Sequence, residues 1–159
     1  MLARLGLQTL PSVVADRCGR ESEVVVDGFT IGRDDVLGWI DRHDAAWRAA
    51  DPAAIAGLFS ADAVYHLGPW DAPWRGLDGP FRGRDAIATG WLAGGIDGER
   101  FTADTEILAI EGARAVVRRR ITYFEADGSV ESRHDTCWVV DFDADGRCVE
   151  YQEWFVEGP

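Results

Sequence analysis

Four side chains in this sequence are placed to carry acid/base chemistry: His43, His134, Glu153 and Arg120. A carboxyl or imidazole moved by its surroundings toward neutrality can give or take a proton there. For that it must be withdrawn from water, so the question is which of the four point inward. His43 is the one polar position on a stripe of Val36, Ile40, Trp47 and Ala50, a spacing that puts all five on one helix face. Glu153 shares strand parity with Tyr151 and Phe155, and His134 with Thr136, Trp138 and Val140. Arg120 is placed inward with them. Its strand reads Val116, Arg118, Arg120 and Thr122 on one face and Val117, Arg119, Ile121 and Tyr123 on the other, and alternation alone does not choose between them. A buried carboxylate without a partner is costly, so Glu153 is expected to pair with Arg or His or to hold its proton unusually tightly. The plainer alternative is a structural Glu153–Arg120 ion pair with both histidines satisfied in the core. His66, next to Tyr65, is a reserve candidate that points outward unless its strand carries a bulge.

The elements that must position these groups follow from periodicity. A long helix starts near Val36 and ends before Asp51-Pro52, a cap and first-turn pair for a short helix with Ile55, Leu58 and Phe59 on its stripe. A strand near Ala63 to Leu67 leads into GPWDAPWRGLDGPFRG, where Gly and Pro prevent regular structure. Trp70, Trp74 and Phe81 in that loop are costly to leave in water, so it packs on the core edge or covers a cavity. A third helix spans about Arg84 to Leu92 and is ended by Gly94 and Gly95. Four β-rich segments follow, Phe101 to Ile110, Ala113 to Phe124, Val130 to Phe142 and Arg147 to Val156. Glu111-Gly112, Asp127-Gly128 and Asp145-Gly146 join them as tight antiparallel turns. The solution to that order is α+β: a curved, mostly antiparallel sheet wrapped around helices, a cone with an internal pocket. Tyr65, Leu67, Trp70, Trp91, Trp138, Tyr151 and Phe155 are expected to form its substrate-binding wall.

Composition narrows the function classes. The 159 residues suit one core, with residues 1–33 as an N-terminal extension and 34–159 as the domain. The net charge is −12 and all 16 basic residues are Arg, which argues against nucleic acid or an anionic membrane surface as partner. Arg118 to Arg120 is split across two faces by strand alternation and makes no basic patch. No apolar run reaches the ~18 residues that span a bilayer. Cys18, Cys137 and Cys148 are odd in number and in no metal-ligand spacing, which suits unpaired thiols and a cytoplasmic location. Asp141-Phe-Asp-Ala-Asp-Gly146 mimics a calcium loop, but Gln152 stands where a bidentate Glu is needed, so a hairpin turn is the expectation. No dinucleotide, triphosphate or serine-hydrolase motif occurs, and no metal or cofactor is expected.

The order of elements, together with AAWRAADPAAIAGLFSADAVY, the segment Gly79 to Ile87 and the ending DFDADGRCVEYQEWF, resembles the nuclear transport factor 2-like superfamily. Within it the chain is similar to the SnoaL-like and ketosteroid isomerase-like branch, over about Val36 to Glu157. Laid on the chain without gaps, the isomerase pattern puts its oxyanion-hole tyrosine on His43, its base aspartate on Leu67 and its second oxyanion donor on Trp138. The base is therefore missing, which argues against a faithful steroid isomerase. The resemblance implies a cofactor-independent enzyme of isomerase, cyclase, dehydratase or epoxide-opening type, acting on a small apolar or polycyclic ligand. The alternative is a non-catalytic ligand-binding or dimerisation module of the same fold. A homodimer is expected through the outer sheet face, on Trp154, Val139, Val117 and Ile121.

Overall fold

A computed structural model describes residues 29–66, 68, 79–94 and 100–158. Leu67, Trp70, Trp74, Cys18 and residues 1–28 of the expected N-terminal extension lie outside the described residues. Helix α1 runs Arg33–Ala49, with Asp34 and Asp35 in its first turn and Arg48 in its last, complementing the helix dipole. The Asp35 carboxylate accepts the Gly32 N–H at 3.1 Å and closes the N-terminus. The chain then reverses through Ala50, whose φ of 48° is left-handed. Asp51 caps α2 (Pro52–Gly57) by accepting the Ala53 N–H at 2.9 Å, as the Asp-Pro pair requires. Phe59 opens strand β1 (Phe59–His66) instead of continuing the helix stripe. After a two-residue strand β2 (Phe81–Arg82) come α3 (Arg84–Ala93), β3 (Arg100–Glu111), β4 (Arg114–Phe124), β5 (Val130–Phe142) and β6 (Cys148–Glu157).

The six strands form one curved, unclosed sheet in the order β2-β1-β6-β5-β4-β3. Every pairing is antiparallel except β1 with β6, which is parallel because α3 and three hairpin strands separate them in sequence. The joints are the expected turns, with Gly112, Gly128 and Gly146 at positive φ. In the last of them the Asp143 carboxylate accepts the N–H groups of Asp145 and Arg147, and Asp141 is bound to Arg114 through both oxygens. The aspartate run is therefore a hairpin turn with its carboxylates engaged.

The helix-facing side of the sheet is a core of rings. Trp39 lies at its centre, within 6.5 Å of Phe59, Trp138, Phe142 and Tyr151, ring to ring, and its indole N–H donates to the Leu58 carbonyl at 3.1 Å. That one side chain ties α1 to the start of β1 and to the far strands. Register fixes which residues join it: Val117 faces Trp138, Arg119 faces Thr136 and Ile121 faces His134 across β4 and β5. Val117 and Ile121 are thus buried beneath the helices. They do not belong to the outer face, where dimer contacts were expected of them. The outer apolar residues are Val116, Val139, Trp154 and Val156.

Ile31, only 3% exposed, joins the same core, and its N–H donates to the Gly112 carbonyl at 2.9 Å. A chain beginning at Phe29 keeps this anchor; a chain beginning at Asp34 loses it. The second should be less stable than the first by about 2–3 kcal/mol, the worth of one buried Ile side chain. Urea melts of the two truncations check this, and equal midpoints would return Ile31 to a dispensable extension.

Candidate active site

His43 sits on the inner face of α1, 4% exposed, inside a ring of aromatic side chains. Its imidazole stacks on Trp47 at 5.6 Å and meets Trp138 at 4.8 Å and Trp91 at 5.3 Å. Burial this deep disfavours the imidazolium and lowers the His43 pKa below its ordinary value, with the nearby Arg119 charge acting the same way. The hydrogen bond of its Nδ1 to Asp44 Oδ1, 3.1 Å, opposes the shift without cancelling it. A neutral ring donating from Nδ1 keeps its lone pair on Nε2.

Asp44 is held in turn by Arg119. The guanidinium, 1% exposed, donates to both Asp44 oxygens at 2.8 and 2.7 Å, gives its Nε–H to Thr105 Oγ1 at 3.1 Å and lies 4.5 Å over the Trp138 ring. Burial alone would push the Asp44 carboxyl up. The hydrogen bonds from His43 and Arg119 and the guanidinium charge outweigh it and hold the pKa at about 2. The result is a neutralised pair that fixes the His43 tautomer.

Glu153 faces the same space from β6. Trp138 Nε1–H donates to its Oε1 at 2.8 Å and the Tyr65 hydroxyl donates to its Oε2 at 3.3 Å. Burial raises its pKa, and the two donors and Arg119 only partly offset that. Tyr65 and Tyr151 are pushed far up by burial and the Glu153 charge, so both remain phenols and act as donors. His43, Glu153, Arg119, Trp138 and Tyr151 line one cavity, with Trp47, Phe101, Ile121 and Tyr123 completing its wall. Its volume is about 20 Å³, room for about one water molecule. Trp39, Trp91, Trp138 and Tyr151 occupy the remainder of the cone as fully buried side chains.

Two expected site residues are thus brought together, His43 with Glu153, and Tyr65, Trp91, Trp138 and Tyr151 surround them. Arg120 is not among them. It projects from the outer face with its side chain 57% exposed and pairs with Asp104 at 3.2 Å, because the inward parity of β4 belongs to Arg119. The alternative Glu153–Arg120 ion pair therefore does not form. His134 lies further along the inner face, stacked on Phe155 at 5.5 Å and edge-on to Tyr123 at 5.3 Å, and is not part of the cavity wall. Phe155 itself is 43% exposed. His66 lies opposite Gln152 on the outer parity and binds Glu150 at 3.2 Å; the register irregularity of β1 falls earlier, between Phe59 and Val64. Asp44 and Arg119 are the site residues that pattern reading missed. The signal for Arg119 was its parity, shared with Val117, Ile121 and Tyr123, three apolar side chains that outweigh Val116 alone on the opposite face.

Residues 40–151 match the model of the SnoaL-like domain. The chain belongs to the SnoaL-like family. Among solved structures, it is similar to a protein of unknown function with a cystatin-like fold from Methylobium petroleophilum, at 24% identity and a TM-score of 0.57, covering 82% of this chain and 80% of that one. A nuclear transport factor 2-like protein of unknown function from Mesorhizobium loti shares 27% identity over 77% of this chain and 92% of its own, with a TM-score of 0.52. A ketosteroid isomerase-like protein from Erwinia carotovora atroseptica aligns at 19% identity over 79% of this chain and 96% of that one, with a TM-score of 0.56. These likenesses establish the nuclear transport factor 2-like fold. No curated protein matches the chain. Both positions on which the isomerase pattern sets its oxyanion donors, His43 and Trp138, line the cavity of this SnoaL-like domain. Among the described residues no helix is long and apolar enough to cross a membrane.

Proposed function

We propose that this SnoaL-like domain is a cofactor-independent enzyme that moves a proton on a small, uncharged substrate, with Glu153 as the acid and His43 as the base. One observation carries the reading. A carboxyl whose pKa is raised and an imidazole whose pKa is lowered face one cavity. Opposed shifts of this kind let one group hold a proton while the other stands ready to accept one. Asp44 keeps the His43 lone pair on Nε2 and would stabilise the imidazolium that forms. Arg119 is paired with Asp44, so among the described residues the cavity wall offers no unpaired cation to an anionic substrate. A carbonyl, hydroxyl or epoxide oxygen is the group that suits a space of about 20 Å³ beside an acid. Isomerisation, cyclisation, dehydration and epoxide opening all begin with such a step. Isotope exchange with solvent tests the reading, read as deuterium incorporation at carbon in a panel of neutral ketones and enols and as 18O uptake from labelled water in neutral epoxides. Exchange that disappears in Glu153→Gln supports it, and no exchange with any compound that binds would contradict it.

A second reading has its own observation. The cone is filled by its own rings, as suits a non-catalytic dimerisation module. The outer face suits self-association: Val116, Val139, Trp154 and Val156 form an apolar centre flanked by the Arg114–Asp141 and Arg118–Asp135 ion pairs. Sedimentation equilibrium should find a dimer at micromolar concentration, and Trp154→Glu should convert it to monomer. A wild type that is monomeric throughout that range removes this interface.

A further inference from the structure

We propose that Gly90 and Phe81 are positioning residues for the Glu153 carboxyl, holding the Tyr65 hydroxyl against it through a stack of three rings. The inference rests on the reading of Glu153 as the proton-transfer group. Tyr65 lies between Phe81, at 6.3 Å and 13°, and Tyr151, at 5.0 Å and 25°. The stack follows the sheet, since Phe81 pairs with Tyr65 across β2 and β1, and Tyr65 with Tyr151 across β1 and β6. Neighbouring strands lie ~4.8 Å apart, so rings in register pile face to face. A ring flanked on both sides has less room to swing, which restricts the direction of its hydroxyl. Here that direction delivers the O–H to Glu153 Oε2 at 3.3 Å.

The outer end of the stack needs its own support, because β2 is an edge strand of two residues. Helix α3 supplies it at Gly90. A Cβ there would stand 2.5 Å from Phe81 Cε2 and Cζ and 2.8 Å from Cε1, closer than atoms can pack. The position has no positive φ, so its glycine answers to space and not to backbone conformation. Glycine inside a helix costs ~1 kcal/mol against alanine. The helix bears that cost at the one point where a methyl group would push Phe81 off Tyr65. Besides Tyr65, the groups among the described residues that act most strongly on the Glu153 carboxyl are Trp138, Arg119 and Tyr151, and none of them belongs to α3 or β2; the α3 ring of Trp91 touches Tyr65 itself, edge-on at 5.6 Å. Gly90 and Phe81 therefore reach it through Tyr65.

Infrared titration of the full chain, with Glu153→Gln as the difference reference, reads the Glu153 carboxyl directly and needs no substrate. Tyr65→Phe removes one donor to the carboxylate, so the midpoint should move up. Gly90→Ala and Phe81→Leu should move it the same way, by at least half as much. In the Tyr65→Phe background neither should move it further. A midpoint unchanged in both folded variants, or shifted equally with and without the Tyr65 hydroxyl, overturns the proposal. So does loss of the fold in either variant, which would make the contact one of core packing alone. Those outcomes leave the proton-transfer reading standing. That reading fails separately, if the wild-type Glu153 midpoint is that of an ordinary glutamate.

Discussion

Asp44→Ala should destabilise the protein by about 3–5 kcal/mol, the cost of stranding a buried guanidinium without its counter-charge. Arg119 is almost fully enclosed, and Asp44 takes two of its hydrogen bonds and is the carboxylate paired with it. Thr105 and the Trp138 face remain, but neither offers a charge. The effect carries a pH signature. The Asp44 pKa lies at about 2 in the fold against 3.8 ordinarily, so its stabilisation is fully present above about pH 4 and is lost as the pH falls through about 2. That interval corresponds to about 2 kcal/mol. Urea denaturation at pH 7 and across the acid range measures both, and in Asp44→Ala the acid-dependent portion should vanish. A cost below about 1 kcal/mol would mean that Arg119 finds water in solution, and the site would lose the pair that orients His43.

Glu153→Gln should do the reverse, abolishing proton transfer while sparing the fold. Removing a general acid or base typically costs about 10²- to 10⁴-fold in rate. The glutamine oxygen can still accept the Trp138 N–H, and its amide can donate to the Tyr65 oxygen, so packing and hydrogen bonding survive. The native fold prefers this carboxyl protonated, since burial raises its pKa. Wild-type stability therefore falls as the pH rises from the ordinary glutamate value through the raised one, and the glutamine variant lacks that loss. Above neutrality Glu153→Gln should match or exceed the wild type in a thermal melt. A drop of several kcal/mol, with ligand binding intact, would make Glu153 a structural group and favour the non-catalytic module.

Much of this architecture is legible in the residues themselves. Helical spacing from Val36 to Ala50, the Asp51-Pro52 joint and the three Asp-Gly or Glu-Gly turns are local signals, set by backbone geometry within a few residues. His43 was legible for the same reason, as the polar break in an apolar stripe. Strand parity was harder. In β6 the parity shared by Tyr151 and Phe155 made Glu153 inward, and the register with Trp138 agrees. In β4 the contrast was Val117, Ile121 and Tyr123 against Val116, and three consecutive arginines across both faces masked it. The choice between Arg119 and Arg120 depends on which one meets a carboxylate across the cone, and that carboxylate, Asp44, lies 75 residues earlier in sequence. No local pattern contains that fact. The filling of the cone was illegible too, because periodicity says which rings face inward and not how closely they pack.

The most direct test of the account is an NMR titration of the ligand-free protein, following the Glu153 carboxyl carbon and both His43 ring nitrogens in one sample. Glu153 should titrate above the ordinary glutamate range, and His43 should stay neutral below the ordinary histidine midpoint, with its proton on Nδ1. A Glu153 midpoint at or below the ordinary value, or a His43 that becomes cationic at the usual pH, would contradict the assignment of acid and base to this cavity.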